Sequence, residues 1–171
     1  MAFIVEFEGK TPRVAKTAFL APTAVLVGDV DIGENASIWF GAVLRGDFAP
    51  IKIGAGANLQ DNVIVHEGTT VEENVTVGHG AILHDCSIGK NSLIGMGAIV
   101  LDRCRIGSQC LVAAGSVVKE YSEIEDGFLV AGNPALAKKK ISGRSSDWVR
   151  RGAEDYLKLL VRYRTGYRIQ E

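Results

Sequence analysis

An aliphatic residue recurs every six positions through most of this chain, and that period limits what it can fold into. The beat runs through Leu20, Leu26, Ile32, Ile38 and Leu44, then breaks for three extra residues around Phe48-Ala49-Pro50. It resumes at Ile53, Leu59, Val65, Val71, Val77 and Leu83, and drops one residue at Ser87. It then continues at Ile88, Ile94, Val100, Ile106, Val112 and Val118. Four places after the aliphatic residue the side chain is usually small, as at Ala24, Ala36, Ala57, Ala81, Ala98, Cys104 and Cys110. Self-similarity at a fixed period marks a solenoid, and a hexapeptide period points to a parallel β-helix. Strand side chains alternate sides, so six residues make one short strand and one corner. Three such units close a coil of 18 residues. The 20 glycines against 4 prolines suit a chain with many tight corners.

The 171 residues suit one domain with its own core. Residues 1–19 read as an N-terminal strand, Phe3-Ile4-Val5-Glu6-Phe7, and a lead-in that covers one end of the coils. Residues 20–120 are the coils, 121–144 a loop, and 145–166 a helix. Ser145-Ser146-Asp147 is a helix start. Val149, Ala153, Tyr156, Leu160 and Tyr163 follow at steps of four and three, one face that packs along the solenoid. Lys138-Lys139-Lys140 is expected to be a solvated turn.

Charge narrows the partners. Lys and Arg number 19 against 20 Asp and Glu, so neither nucleic acid nor an anionic membrane is an expected partner. No apolar run reaches the ~18 residues of a membrane span. The opening MAFIVEFEGK has no basic stretch followed by a long apolar run, so no signal peptide is expected. Three cysteines make no disulfide framework. Cys104 and Cys110 fall at the small inward position, where core packing explains them. A cytoplasmic location follows as the default.

The chain has three histidines, His66, His79 and His84. His66 follows Val65 and His84 follows Leu83, so both hold one place in the repeat, a full coil apart. Stacked strands lie about 4.8 Å apart, and two imidazoles at that separation can share a metal with Zn–N near ~2.0–2.1 Å. Arg45 follows Leu44, one coil earlier, and extends the column. His79 follows Val77 by two, on the preceding face, and should not reach a metal bound by its own chain. It can reach a neighbour's metal if three chains pack around a threefold axis. Gln60 and Asp61 lie one coil before His79. A cation beside Asp61 across that interface would make a charge-assisted contact. Trp39 and Phe40 share the His79 face and are expected at the interface. Glu67 adjoins a candidate ligand, but strand alternation aims it away.

Arg45-Gly46-Asp47, Asn58-Leu59-Gln60-Asp61, His66 and His79-x4-His84 resemble the γ-class carbonic anhydrases, and most of all the short ferripyochelin-binding-like branch of the hexapeptide-repeat proteins. The resemblance covers nearly the whole chain, from Gly9 to the C-terminal helix. It implies a mainly β fold, a left-handed parallel β-helix with a C-terminal α-helix packed along it, and a homotrimer with metal sites between subunits. It also implies that His66 and His84 bind the metal from one subunit and His79 from the next. By the same likeness Arg45 and Asp61 pair between subunits, with Asp47 and Asn58 supporting the interface. Gln60 lies by the metal-bound water, and Tyr156 approaches the site. The chain departs from the family's best-known active member in two places. Phe48 stands where that member has an acidic residue. Only Glu67-Gly68-Thr69-Thr70 follows the first histidine, where the other has a long acidic loop with a proton-shuttle glutamate.

The leading expectation is zinc-dependent, reversible hydration of carbon dioxide to bicarbonate, with Fe2+ or Co2+ able to replace Zn2+. Two alternatives keep the fold. One is acyl transfer from, or hydrolysis of, a coenzyme A thioester, although no histidine is left over as a general base. The other is a non-catalytic trimeric metal-binding or assembly protein.

Overall fold

The computed structural model describes residues 2–167, and most of its strands are two or three residues long, stacked in parallel. They form three faces. The first carries Phe3–Val5, the start of Val25–Ile32, the start of Val43–Ile53, then Ile64–His66, Ile82–His84, Ile99–Val100 and Val117–Val118. The second carries Arg13–Val14, the ends of the two long strands, Thr70–Val71, Ser87–Ile88, Arg105–Ile106 and Glu123–Ile124. The third carries Phe19–Leu20, Ser37–Ile38, Asn58–Leu59, Thr76–Val77, Leu93–Ile94, Leu111–Val112 and Phe128–Gly132. The two long strands turn the corner between the first two faces and join them into one sheet of 12 strands.

The six-residue beat is the core. Every aliphatic residue of the beat from Leu26 to Val118 is buried, as are the small residues Ala24, Ala36, Ala42, Ala57, Ala81, Ala98, Cys104 and Cys110. Each large side chain so buried contributes about 1.5–3 kcal/mol relative to exposure. Corners take a residue of positive φ, supplied by glycine at Gly80 and Gly97 and by asparagine at Asn35, Asn74 and Asn91. Glycine has no Cβ to clash there, and asparagine tolerates the region better than most residues. The three extra residues sit in Val43–Ile53, where the pairing shifts from Gly28–Gly46 to Val30–Ile51.

Two boundaries differ from the sequence reading. The solenoid begins at Phe3 rather than Leu20, because the N-terminal segment pairs in parallel with Val25–Ile32 and makes the first coil. The expected loop at 121–144 holds the strands Glu123–Ile124, Phe128–Gly132 and Ala135–Lys140. The beat had not ended: Ile124 packs against the core and Val130 is fully buried. Ala135–Lys140 then folds back antiparallel on Phe128–Gly132, covering an edge that would otherwise be open to pairing. The lysine run is therefore strand, with the Lys140 ammonium 4.1 Å above the centre of the Phe128 ring.

The one helix among the described residues, Arg144–Gly166 (α1), buries Val149, Ala153 and Leu160. It covers the third face. Its Tyr156 and Tyr163 pack edge-on on Trp39, and Tyr163 also on Phe19, which is tilted against Trp39, at centroid distances of 4.9–5.7 Å. Trp39 is thus a core residue under α1 and not a free interface residue, and Phe40 packs against the same cluster. Among the described residues no helix is long and apolar enough to cross a membrane.

The outward rows of the faces differ in chemistry. On the second, Arg13, Asp31 and Lys52, then Thr70 and Ser87, then Arg105 and Glu123 stand in register, a polar row with opposite charges side by side at each end. The third is sheltered by α1. On the first, Val25, Val43, Ile64, Ile82, Ile99 and Val117 stand in register as an outward apolar row on which no helix lies among the described residues. Ile64 in that row is 44% exposed.

Candidate metal centre

Beside the apolar row runs the histidine column. Leu44, Val65 and Leu83 point inward and are fully buried, so the next residue of each strand points out. Arg45 pairs in register with His66, and His66 with His84. His66 Nδ1 lies 3.1 Å from His84 Nε2.

The outer nitrogen of each ring faces a carboxylate. His66 Nε2 lies 3.1 Å from Asp47 Oδ1, and His84 Nδ1 lies 2.5 Å from Asp102 Oδ1. Arg45 pairs with the other oxygen of Asp47. Desolvation pushes the Asp47 carboxyl up, but the hydrogen bonds from Arg45 and His66 outweigh it and hold the group below its ordinary range. A carboxylate on one ring nitrogen fixes the tautomer and leaves the other nitrogen as a lone pair. With both outer nitrogens donating, two lone pairs face each other at 3.1 Å. A cation held between them would take both lone pairs, and the spacing suits two ligands near ~2.0–2.1 Å from one metal ion.

Glu67 belongs to this group, against the expectation that it points away. A ligand atom from each of His66, Glu67 and His84 lies within 4.8 Å of the others. The strand ends at His66, and Glu67 takes a φ of 52°, so strand alternation no longer sets its direction. Thr69 secures the turn by donating its hydroxyl to the His66 carbonyl at 2.9 Å.

His79 lies outside that group, around the corner from His84. Its Nδ1 is 2.8 Å from Asp61 Oδ2, and its side chain is 42% exposed. Asp61 therefore does for His79 what Asp47 and Asp102 do for the other two rings, directing Nε2 outward. The His79 backbone N–H donates to Gln60 Oε1 at 3.2 Å. Gln60 Nε2 lies 3.4 Å from Asn58 Oδ1, and Asn58 Nδ2 donates to Thr76 Oγ1 at 2.9 Å. Thr76 lies under Gly152 of α1, where a Cβ would stand 2.7 Å from its hydroxyl. A polar chain thus runs from Thr76, under the helix, to the His79 backbone.

Within the chain Arg45 pairs with Asp47, and Asp61 pairs with His79. Tyr156 packs on Trp39 and is pushed up to about 12, first by burial and then by the negative charge of Asp61. It lies on the His79 side of the molecule. Asp102 was missed in the sequence. It lies 18 residues after His84, in the corner that follows Ile99–Val100. The column stands on an open face. The larger clefts lie elsewhere, one lined by Glu72, Arg105, Asp126 and Lys140, another between Asn74, Asn91 and α1.

A family model described as the GMPPB C-terminal domain matches residues 49–148, the heart of the repeat. The chain is 40% identical over 160 residues to the mitochondrial gamma carbonic anhydrase 2 of Arabidopsis thaliana, covering 88% of this chain and 58% of the plant protein. It is 42% identical over 167 residues to the carnitine operon protein CaiE of a Proteus species, covering 95% of this chain and 85% of that one. The structure of a hexapeptide transferase family protein from Anaplasma phagocytophilum superposes with a TM-score of 0.92 at 42% identity, covering 94% of this chain and 98% of the other. With these coils and this histidine column, the chain belongs to the γ-carbonic anhydrase-like family of hexapeptide-repeat proteins.

Proposed function

We propose that the chain forms a homotrimer with a divalent metal at each interface and catalyses the reversible hydration of carbon dioxide to bicarbonate. The observation that carries this is the 3.1 Å approach of His66 Nδ1 to His84 Nε2, each ring backed by a carboxylate, with His79 directed outward from another face. The outward apolar row supports the assembly, since a second chain laid along it would bury Ile64 and its neighbours. That chain would bring a third imidazole to the column, completing a three-histidine set with one open position. Zinc suits this set, and Fe2+ or Co2+ can occupy it.

A metal ion bound there supplies a Lewis acid and a water of pKa near ~7. The chain's own residues hold the rest of the site in place. Asp47, Asp61 and Asp102 fix the three rings. Arg45, tethered by Asp47, offers a cation to bicarbonate or to Asp61 of the partner subunit. Gln60 is anchored through the His79 backbone and Asn58, and its remaining amide N–H would serve the metal-bound water.

A second reading has its own support. The Anaplasma neighbour, a hexapeptide transferase family protein by its description, matches over nearly its whole length, which keeps acyl-group chemistry on a coenzyme A thioester open. All three histidines are used as ligands, leaving none as a general base. Assaying carbon dioxide hydration and thioester cleavage on one metal-loaded preparation separates the readings. Hydration lost in His66→Ala and in His84→Ala supports the first. Thioester cleavage alone sinks it, and neither activity leaves a metal-binding assembly protein.

A further inference from the structure

We infer that one chain carries a three-ligand metal set of its own, His66, His84 and Glu67, and that His79 of the partner subunit enters only on assembly. The inference rests on the metal-centre reading above and adds an order of events to it.

The geometry is within one chain. His66, Glu67 and His84 bring one ligand atom each within 4.8 Å of the others, and His79 is not part of that group. The backbone sets Glu67 there. Its φ of 52° turns the chain at the strand end, and the Thr69 hydroxyl on the His66 carbonyl holds the turn. The matching acid one coil on behaves differently. Asp85 also has positive φ, at 40°, yet its carboxylate is turned toward Gly68, where a Cβ would stand 3.0 Å from Asp85 Oδ1. An acid after a column histidine therefore does not reach the metal position by default.

Two histidines and a carboxylate are a complete protein ligand set for zinc, and a familiar one for iron. The set also matches the charge of its surroundings. On the open face of a lone chain a dication gains more from one anionic ligand than from a third neutral imidazole. Once a second chain covers that face, its imidazole can take the place of the carboxylate. Glu67 then leaves the set, and three histidines with one open position remain. Metal loading thus precedes assembly, and Glu67 is the ligand that makes it possible.

Co2+ titration followed by visible absorption tests this without any activity assay. The proteins are the parent, His79→Ala, Glu67→Gln, the double variant His79→Ala/Glu67→Gln, and His66→Ala. Circular dichroism on each sample verifies that the coils are intact. His79→Ala should still bind one Co2+ per chain, and the double variant should bind it roughly 10–100-fold more weakly. Equal affinity in His79→Ala and the double variant overturns the proposal, as does a His79→Ala protein that binds no more Co2+ than His66→Ala. A His66→Ala protein that binds Co2+ as tightly as the parent sinks the metal-centre reading itself. The same Glu67→Gln comparison in an Ile82→Asp background, with assembly blocked and His79 intact, gives an independent answer: a loss of Co2+ supports the proposal, and no change overturns it.

Discussion

His66 Nδ1 and His84 Nε2 stand 3.1 Å apart because their strands pair residue for residue, one coil above the other. Removing one ring removes half of the in-chain histidine pair and none of the core, since both side chains point outward from the solenoid. His84→Ala should therefore keep the parent's circular dichroism and lose tight metal binding. Zinc should raise the parent's melting temperature by the binding term and leave the variant's unchanged. Parallel thermal scans with and without zinc decide it. An equal rise in both proteins would show that His84 is not a ligand.

The apolar row on the histidine face predicts where assembly breaks. Ile82 pairs with Ile64 below and Ile99 above, and all three point away from the core. Ile82→Asp should leave a folded chain that runs as a monomer in light scattering. Were the variant to keep the parent's mass, the interface would lie on another face.

Ile94 points the other way and is fully buried in the third face. Ile94→Asp removes an aliphatic side chain, at a cost of about 2–5 kcal/mol for comparable truncations, and buries a carboxylate that has no partner. Against a typical stability of about 5–15 kcal/mol, the expected outcome is an unfolded or insoluble chain. A soluble variant with the parent's unfolding transition would contradict the assigned register.

The coils and the histidine column were legible in the sequence because a fixed period turns residue number into position. Arg45, His66 and His84 could be aligned by counting alone. Counting failed where the period did not govern. Glu67 was assigned away from the site by strand alternation, yet its positive φ ends the strand. Trp39 was assigned to an interface because the face covered by α1 cannot be read from the repeat. The first and last coils were missed because their beat is weak: Ile4 and Ile124 hold inward places without being fully buried. Asp102 sits in a corner, where the aliphatic beat says nothing about direction.

Gly152 carries a further prediction. A Cβ there would stand 2.7 Å from Thr76 Oγ1 and 3.2 Å from its Cβ. Alanine gains roughly 1 kcal/mol in helix propensity over glycine, but overpacking costs typically about 1–3 kcal/mol. Thr76 is also held by Asn58, so the clash should win. Gly152→Ala should melt below the parent in calorimetry. A higher melting temperature would mean that α1 rides more loosely on the third face.

Tyr156 gives a pH dependence in the alkaline range. Burial is the main reason its phenol is pushed from 10.0 up to about 12 in the folded chain. Between those values the unfolded chain has lost the proton and the folded chain keeps it. Stability then falls as pH rises from about 10 to about 12, because the unfolded state binds fewer protons. Tyr156→Phe should show a flatter decline in denaturant titrations across that window. Identical slopes would place the phenol in water in the folded state.

A stack of equal rungs works as a ruler. Leu83 pairs with Val100 one rung up, so Leu101 follows Val100 as His84 follows Leu83. A histidine placed there would sit about 4.8 Å from its neighbour, offering a second ion the same footing as the first. In such a scaffold a binding site has an address made of a face and a rung number. New chemistry can be installed by repeating a side chain at the next mark.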